Sequence, residues 1–248
     1  MARESITVTT EDGVTLVQID HPPANAMDPA LLSDALAVLD RVRVDDPGAV
    51  VLTGSGRFFS GGADLRVVPS LPPAEQAEMA RGINALFAGW YELPRPVVTA
   101  VNGHAVAGGL ILALCGDVRI GAASGQYGLT EVRVGIPYPS VALAVVAHEL
   151  TPSATRRLAL TAALVDSATA LDLGVFDEVV DDEQVLPRGL EVARELAALP
   201  PRTYALTKQR LRGGVGDVRE RAFGGSERAA WATEEAGQFA EEYLDRPR

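Results

Sequence analysis

Residues 102–120 read NGHAVAGGLILALCGDVRI, and how this stretch is read decides the fold. The run before it, RPVVTAV (95–101), is β-branched and apolar, as a buried strand requires. Gly108 and Gly109 then let the chain turn sharply, because a residue without Cβ tolerates close approach and unusual backbone angles. The apolar segment from Gly108 onward reads as a short buried helix, and DVRIGAA (117–123) as another buried strand. A helix that begins at glycines leaves its first N–H groups without intrahelical partners. Between Ala105 and Gly116 the stretch holds no acid, base or nucleophile except Cys115, so any chemistry here must come from elsewhere in the chain.

Working outward, RFFSGGADL (57–65) has the same form: a strand, a Gly-Gly pair and the expected start of a helix. A phosphate-binding P-loop is excluded, since no G-x-x-x-x-G-K-[ST] pattern exists and Lys208 is the chain's only lysine. Two such junctions in one domain suggest main-chain N–H groups converging as an oxyanion hole, which stabilises negative charge on a carbonyl oxygen. SITVTTEDGVTLVQIDH (5–21) alternates around Glu11-Asp12-Gly13 as a β-hairpin. Asp28 and Pro29 are placed to cap and start a helix carrying Leu32, Leu36, Leu39 and Val42 on one face. AVVLTGSG (49–56) reads as a buried strand, and PAEQAEMARGINALFAGWYEL (73–93) as a helix burying Ile83, Leu86, Phe87 and Trp90. This alternation predicts an α/β protein with helices covering buried sheet. Beyond about Leu190 the pattern turns helical, so residues 1–190 are expected as the core. Residues 191–248 are expected as a helical C-terminal subdomain, with an apolar stripe through Ala232, Ala236, Phe239, Ala240 and Tyr243 suited to oligomerisation.

The 248 residues carry a net charge of −11, which argues against nucleic acid and anionic membranes as partners. A single cysteine excludes an internal disulfide framework and fits the cytoplasm. The N-terminus lacks the apolar core of a signal peptide, and no apolar run is long enough to span a bilayer. His21, His104 and His148 are dispersed without ligand spacing, so no metal site is expected.

FFSGGADL, NGHAVAGGLILALCGDVRI and GLTEVRVGIP (128–137) together resemble the crotonase superfamily, the enoyl-CoA hydratases and isomerases. HPPANAMD (21–28) and ATALDLGVFDEVV (168–180) extend the match over almost the whole chain. The resemblance implies a crotonase-like spiral of ββα turns with a helical C-terminal subdomain, assembled as a homotrimer or dimer of trimers. It implies an acyl-CoA thioester substrate, with coenzyme A as part of that substrate and no further cofactor. By position, the oxyanion donors would be the N–H groups of Ala63 and Gly108. Ala63, Asp64, Leu65 and Arg66 would line the pantetheine and phosphate path, and Pro23, Ala24 and Ala26 would meet the adenine end. Asp64 itself is read as a helix-start cap.

Hydratases of this superfamily hold water between two glutamates. One of those positions falls here on Glu131, the other on Ile111. A lone carboxylate beside an oxyanion hole can take a proton alpha to a thioester and return it to another carbon. The motifs are thus closest to the mitochondrial-type Δ3,Δ2-enoyl-CoA isomerases, which convert a 3-enoyl-CoA to a trans-2-enoyl-CoA. An enoyl-CoA hydratase is the alternative, and a noncatalytic acyl-CoA-binding protein the alternative of another class. Ser60 and Ser140 lack a recognisable triad. Cys115 reads as a buried small hydrophobe and His104 as a packing or hydrogen-bonding residue. Lys208 and Arg212, at i and i+4, read as a solvated helix face with the reach to meet CoA phosphates.

Overall fold

A computed structural model describes residues 4–44, 48–213 and 215. The chain opens with the expected hairpin, β1 (Ile6–Glu11) and β2 (Val14–Ile19), antiparallel and in register from Ile6 opposite Ile19. Helix α1 (Pro29–Val44) is capped by Asp28, whose carboxylate accepts the Leu31 N–H at 2.7 Å. There follow β3 (Ala49–Gly54), β4 (Phe58–Ser60), α2 (Pro73–Tyr91), β5 (Val97–Val101), β6 (His104–Val106), α3 (Gly108–Leu114), β7 (Val118–Ala122) and β8 (Tyr127–Gly128). The remainder is α4 (Ser140–Glu149), α5 (Pro152–Thr161), β9 (Leu164–Val165), α6 (Ser167–Asp172), β10 (Glu178–Val180), α7 (Val185–Ala197) and α8 (Pro201–Arg212).

The strands sort into two sheets, ordered β1-β2-β3-β5-β7-β10 and β4-β6-β8-β9. Successive passes of the chain place β3, β5 and β7 side by side in the first sheet, and β4, β6 and β8 side by side in the second, all parallel. That is the spiral of ββα turns, and no short sequence repeat accompanies it. Burying both faces of the first sheet demands only apolar residues at period two. In β3, Val50 and Leu52 face the main core, while Ala49 and Val51 face α7, which brings Val185, Val192 and Ala193. The main core takes α1 and α2 through Leu32, Leu39, Ile83, Leu86, Phe87 and Trp90, the residues marked by helical spacing.

Two expectations about local structure change. The Gly61-Gly62 junction does not enter an α-helix. Residues 65–67 form a turn and Val68–Ser70 a single 3-10 turn, with α2 beginning only at Pro73. Pro69, Pro72 and Pro73 explain this, because each lacks an N–H and disfavours helical backbone in the residue before it. The helical C-terminal region begins at Val185, so the 190/191 boundary falls inside α7, and a break at Ala198–Pro200 separates α7 from α8. The stripe from Ala232 to Tyr243 lies outside the described residues. Among the described residues no helix is long and apolar enough to cross a membrane.

Candidate active site

The second sheet sends three segments off one edge. β4, β6 and β8 run parallel as neighbours, so the segments leaving their C-terminal ends emerge on the same edge. Ala63 follows the end of β4, Gly108 the end of β6, and Glu131 the end of β8. Neighbouring strands lie about 5 Å apart, which puts the Gly108 turn between the other two. The glycine turns touch directly. Gly62 has a φ of +80°, and a Cβ there would lie 2.9 Å from the Gly108 nitrogen. Ala107 adopts φ 52°, ψ −129°, a rare conformation for a residue with a side chain, immediately before α3. Among the described residues, the Ala63 and Gly108 N–H groups donate to no partner.

The loop carrying Pro23, Ala24 and Ala26 is laced to the Ala63 turn by main-chain hydrogen bonds. Gly61 N–H donates to Ala24 O at 2.9 Å, Met27 N–H to Gly62 O at 2.7 Å, and Asp64 N–H to Met27 O at 2.9 Å. Asn25 locks this loop by donating its side-chain amide to Phe58 O at 2.8 Å and Ser55 O at 3.1 Å. Ser60 donates to Asn25 O at 2.8 Å and accepts from Gly62 N–H, so its hydroxyl serves the turn. Leu65 packs against Val134 and Ile136, giving an apolar wall just beyond Glu131. Arg66 stands exposed on the same turn.

Glu131 begins a 3-10 turn, Glu131–Val134, and is only 7% exposed. It is the only buried carboxylate among the described residues. Burial pushes its carboxyl from the usual range up to about 7, opposed by its own main-chain N–H and by a hydrogen bond from the Tyr138 hydroxyl. Its Oε2 is buried without any hydrogen-bond partner among the described residues. Such an orphaned oxygen is costly unless a ligand uses it. A carboxyl that titrates near neutrality can both accept and return a proton. Ile111, one turn into α3, is 1% exposed and belongs to the main apolar core, so no second acid stands at that position.

Other residues take structural places. Asp64 caps a turn instead of a helix, accepting the Arg66 N–H at 2.9 Å. His104 packs its ring at a tilt against Phe58 and accepts the Gln126 N–H through Nδ1, and Cys115 is buried with its thiol pushed up to about 12 by desolvation. Lys208 and Arg212 are neither solvated nor free to meet phosphates, being 5% and 7% exposed. Lys208 Nζ lies 2.7 Å from Asp117 Oδ2 and 3.0 Å from Arg95 O. Arg212 pairs with Asp117 Oδ1 at 3.0 Å, stacks over Tyr91, and donates to the Cys115 and Gly116 carbonyls at the C-terminal end of α3. Their helix is drawn to the core by Asp117, which also accepts the Val97 N–H. Tyr138 escaped the sequence reading. The one available signal was the bulk of GIPYPSVAL (135–143) just after GLTEV.

Residues 9–239 match the family described as enoyl-CoA hydratase/isomerase. A Mycobacterium tuberculosis protein named (7aS)-7a-methyl-1,5-dioxo-2,3,5,6,7,7a-hexahydro-1H-indene-carboxyl-CoA hydrolase is 36% identical over 212 residues, covering 83% of each chain. A putative enoyl-CoA hydratase of Thermus thermophilus is 35% identical over 211 residues, covering 82% of this chain and 83% of its own. The crystal structure of human mitochondrial delta3-delta2-enoyl-CoA isomerase superposes with a TM-score of 0.91 at 26% identity, covering 98% of both chains.

Proposed function

The chain belongs to the enoyl-CoA hydratase/isomerase family, and from that premise we propose that it isomerises 3-enoyl-CoA to trans-2-enoyl-CoA through one glutamate. The observation that carries this reading is the buried Glu131, with its unpartnered Oε2, near the Ala63 and Gly108 turns and with isoleucine at position 111. The thioester carbonyl oxygen accepts from the Ala63 and Gly108 N–H groups. Ionised Glu131 removes a proton from C2, and the electron pair moves into a dienolate whose oxygen those N–H groups stabilise. The same carboxyl delivers the proton to C4, the double bond settles between C2 and C3, and Glu131 ends as it began. Arg66 faces the CoA phosphates, Pro23, Ala24 and Ala26 border the adenine, and Asp64 and Leu65 complete the path between. A homotrimer or dimer of trimers in the cytoplasm is part of this proposal.

A second reading, hydration, is favoured by the hydratase name of the Thermus relative. It needs a second acid to hold water, and position 111 offers none. The reading of Glu131 is tested by Glu131→Gln, which keeps the volume but cannot accept the proton. Turnover of trans-3-hexenoyl-CoA should fall below about 1% of the wild type, with CoA-ester affinity near normal. A variant that keeps most of its activity overturns Glu131 as the base.

A further inference from the structure

Tyr138 lies four residues after the 3-10 turn Glu131–Val134 and two before α4 begins at Ser140, yet its hydroxyl meets three acceptors. Its Oη lies 3.3 Å from Leu129 O and 3.2 Å from Ala159 O, and a hydrogen bond joins it to the Glu131 carboxyl. Ala159 belongs to the last turn of α5, whose carbonyls lack intrahelical partners. A phenol has one hydrogen, so it serves these acceptors alternately. Burial and the neighbouring carboxylate push the phenol well above its usual value, so it stays protonated throughout. Among the described residues, the groups that act on the Glu131 carboxyl are its own main-chain N–H and the Tyr138 hydroxyl, with burial opposing them. Arg133, in the same turn, is committed to the Ala162 carbonyl.

We propose that Tyr138 is a positioning residue for Glu131, its single hydroxyl hydrogen turning between the Glu131 carboxylate and the Leu129 and Ala159 carbonyls as the base loses and gains its proton. When Glu131 is ionised, the hydrogen lies on the carboxylate, a charge-assisted bond. When Glu131 has taken the substrate proton on Oε2, the charge assistance is gone and the hydrogen turns to a main-chain carbonyl. No proton is exchanged with the phenol and none leaves the site. Oε2 stays open to the substrate in both states. The arrangement keeps a desolvated carboxylate usable as a base near neutral pH.

The proposal rests on Glu131 as the proton carrier, which Glu131→Gln tests separately. The direct test is the pH profile of kcat/KM for trans-3-hexenoyl-CoA in Tyr138→Phe. Losing a hydrogen bond to a charged group should move the acid limb up by about one to two pH units. Activity at pH 6 should fall about 10-fold or more, while the alkaline plateau and KM change far less. A purely structural role would lower activity evenly across pH. A 3-fluorotyrosine placed at position 138 alone keeps every hydrogen bond but donates more strongly, so it should move the acid limb down. It decides the matter if the phenylalanine variant fails to fold. The carboxylic acid C=O stretch that disappears in Glu131→Gln reports the same titration without turnover. An acid limb and a C=O titration that coincide with the wild type in both variants overturn the proposal.

Discussion

Gly62→Ala, set beside Gly56→Ala, separates backbone strain from disturbance of the paired turns. Both glycines have left-handed backbone, φ +80° at Gly62 and φ +71° at Gly56. A side chain in that region costs roughly 1–2 kcal/mol at either position. At Gly56 a Cβ would meet nothing within 4 Å, so strain is the whole cost. At Gly62 it would lie 2.9 Å from Ala107 Cβ, 2.9 Å from Gly108 N and 3.0 Å from Val106 O. Those atoms belong to the chain entering α3 and cannot swing aside singly. Overpacking of this kind adds about 1–3 kcal/mol, for a total of about 2–5 kcal/mol. The relaxation must push the Gly108 N–H away from Ala63. Complete loss of one oxyanion donor costs about 10²–10³ in rate, so a partial displacement should lower kcat by at least about 10-fold. Urea denaturation gives the stability of each variant, and conversion of trans-3-hexenoyl-CoA gives kcat. A folded Gly62→Ala protein with wild-type kcat refutes the placement of the oxyanion hole at these turns, as does an equal kcat loss in Gly56→Ala.

Gly108→Pro should slow turnover by about 10²–10³ while folding, because proline is tolerated at the first residue of a helix and Gly108 begins α3. Gly108→Ala keeps the N–H and should lose much less, and equal losses in the two would point to sterics alone. Glu131→Gln should be more stable than the wild type at pH 8. Burial raises the carboxyl from 4.5 to about 7, so the native state holds its proton more tightly than the unfolded chain. Stability from this group is full below about pH 4.5 and is lost as pH rises through 7, a difference of about 3 kcal/mol. Urea unfolding at pH 8 and pH 5 should show the variant's advantage only at the higher pH, and a pH-independent gap would contradict it. Asp117→Asn leaves buried Lys208 and Arg212 facing a neutral amide and should cost about 3–5 kcal/mol. A loss under about 1 kcal/mol would show that the main-chain carbonyls and Glu149, 3.7 Å from Arg212, suffice to hold those cations.

Elements built from local signals were legible in the sequence. The Asp12-Gly13 hairpin, the Asp28 cap and the Leu32, Leu39 and Val42 face of α1 all follow from short-range rules. The glycine turns and Glu131 were legible as motifs, and the parallel order β4-β6-β8 gives the reason they follow strands at one edge of the second sheet. What stayed hidden depends on distant partners. Lys208 and Arg212 at i and i+4 have the spacing of a solvated face, and their burial depends on distant partners, above all Asp117, 91 residues from Lys208 in sequence. Tyr138 carries only the bulk of GIPYPSVAL as a local signal, since its meaning comes from the carbonyls of Leu129 and Ala159. The helix expected after Gly62 was a misreading of local evidence, because the prolines that forbid it stand in the sequence.

On the proposed mechanism one carboxylate shuttles the proton, and position 111 supplies no second acid to hold water. The most direct measurement incubates the purified wild-type protein with trans-3-hexenoyl-CoA and with crotonyl-CoA in parallel, following the conjugated enoyl thioester and the 3-hydroxyacyl product. Conjugation of the first substrate with little or no hydration of the second is the predicted result. Vigorous hydration of crotonyl-CoA would contradict the single-glutamate account.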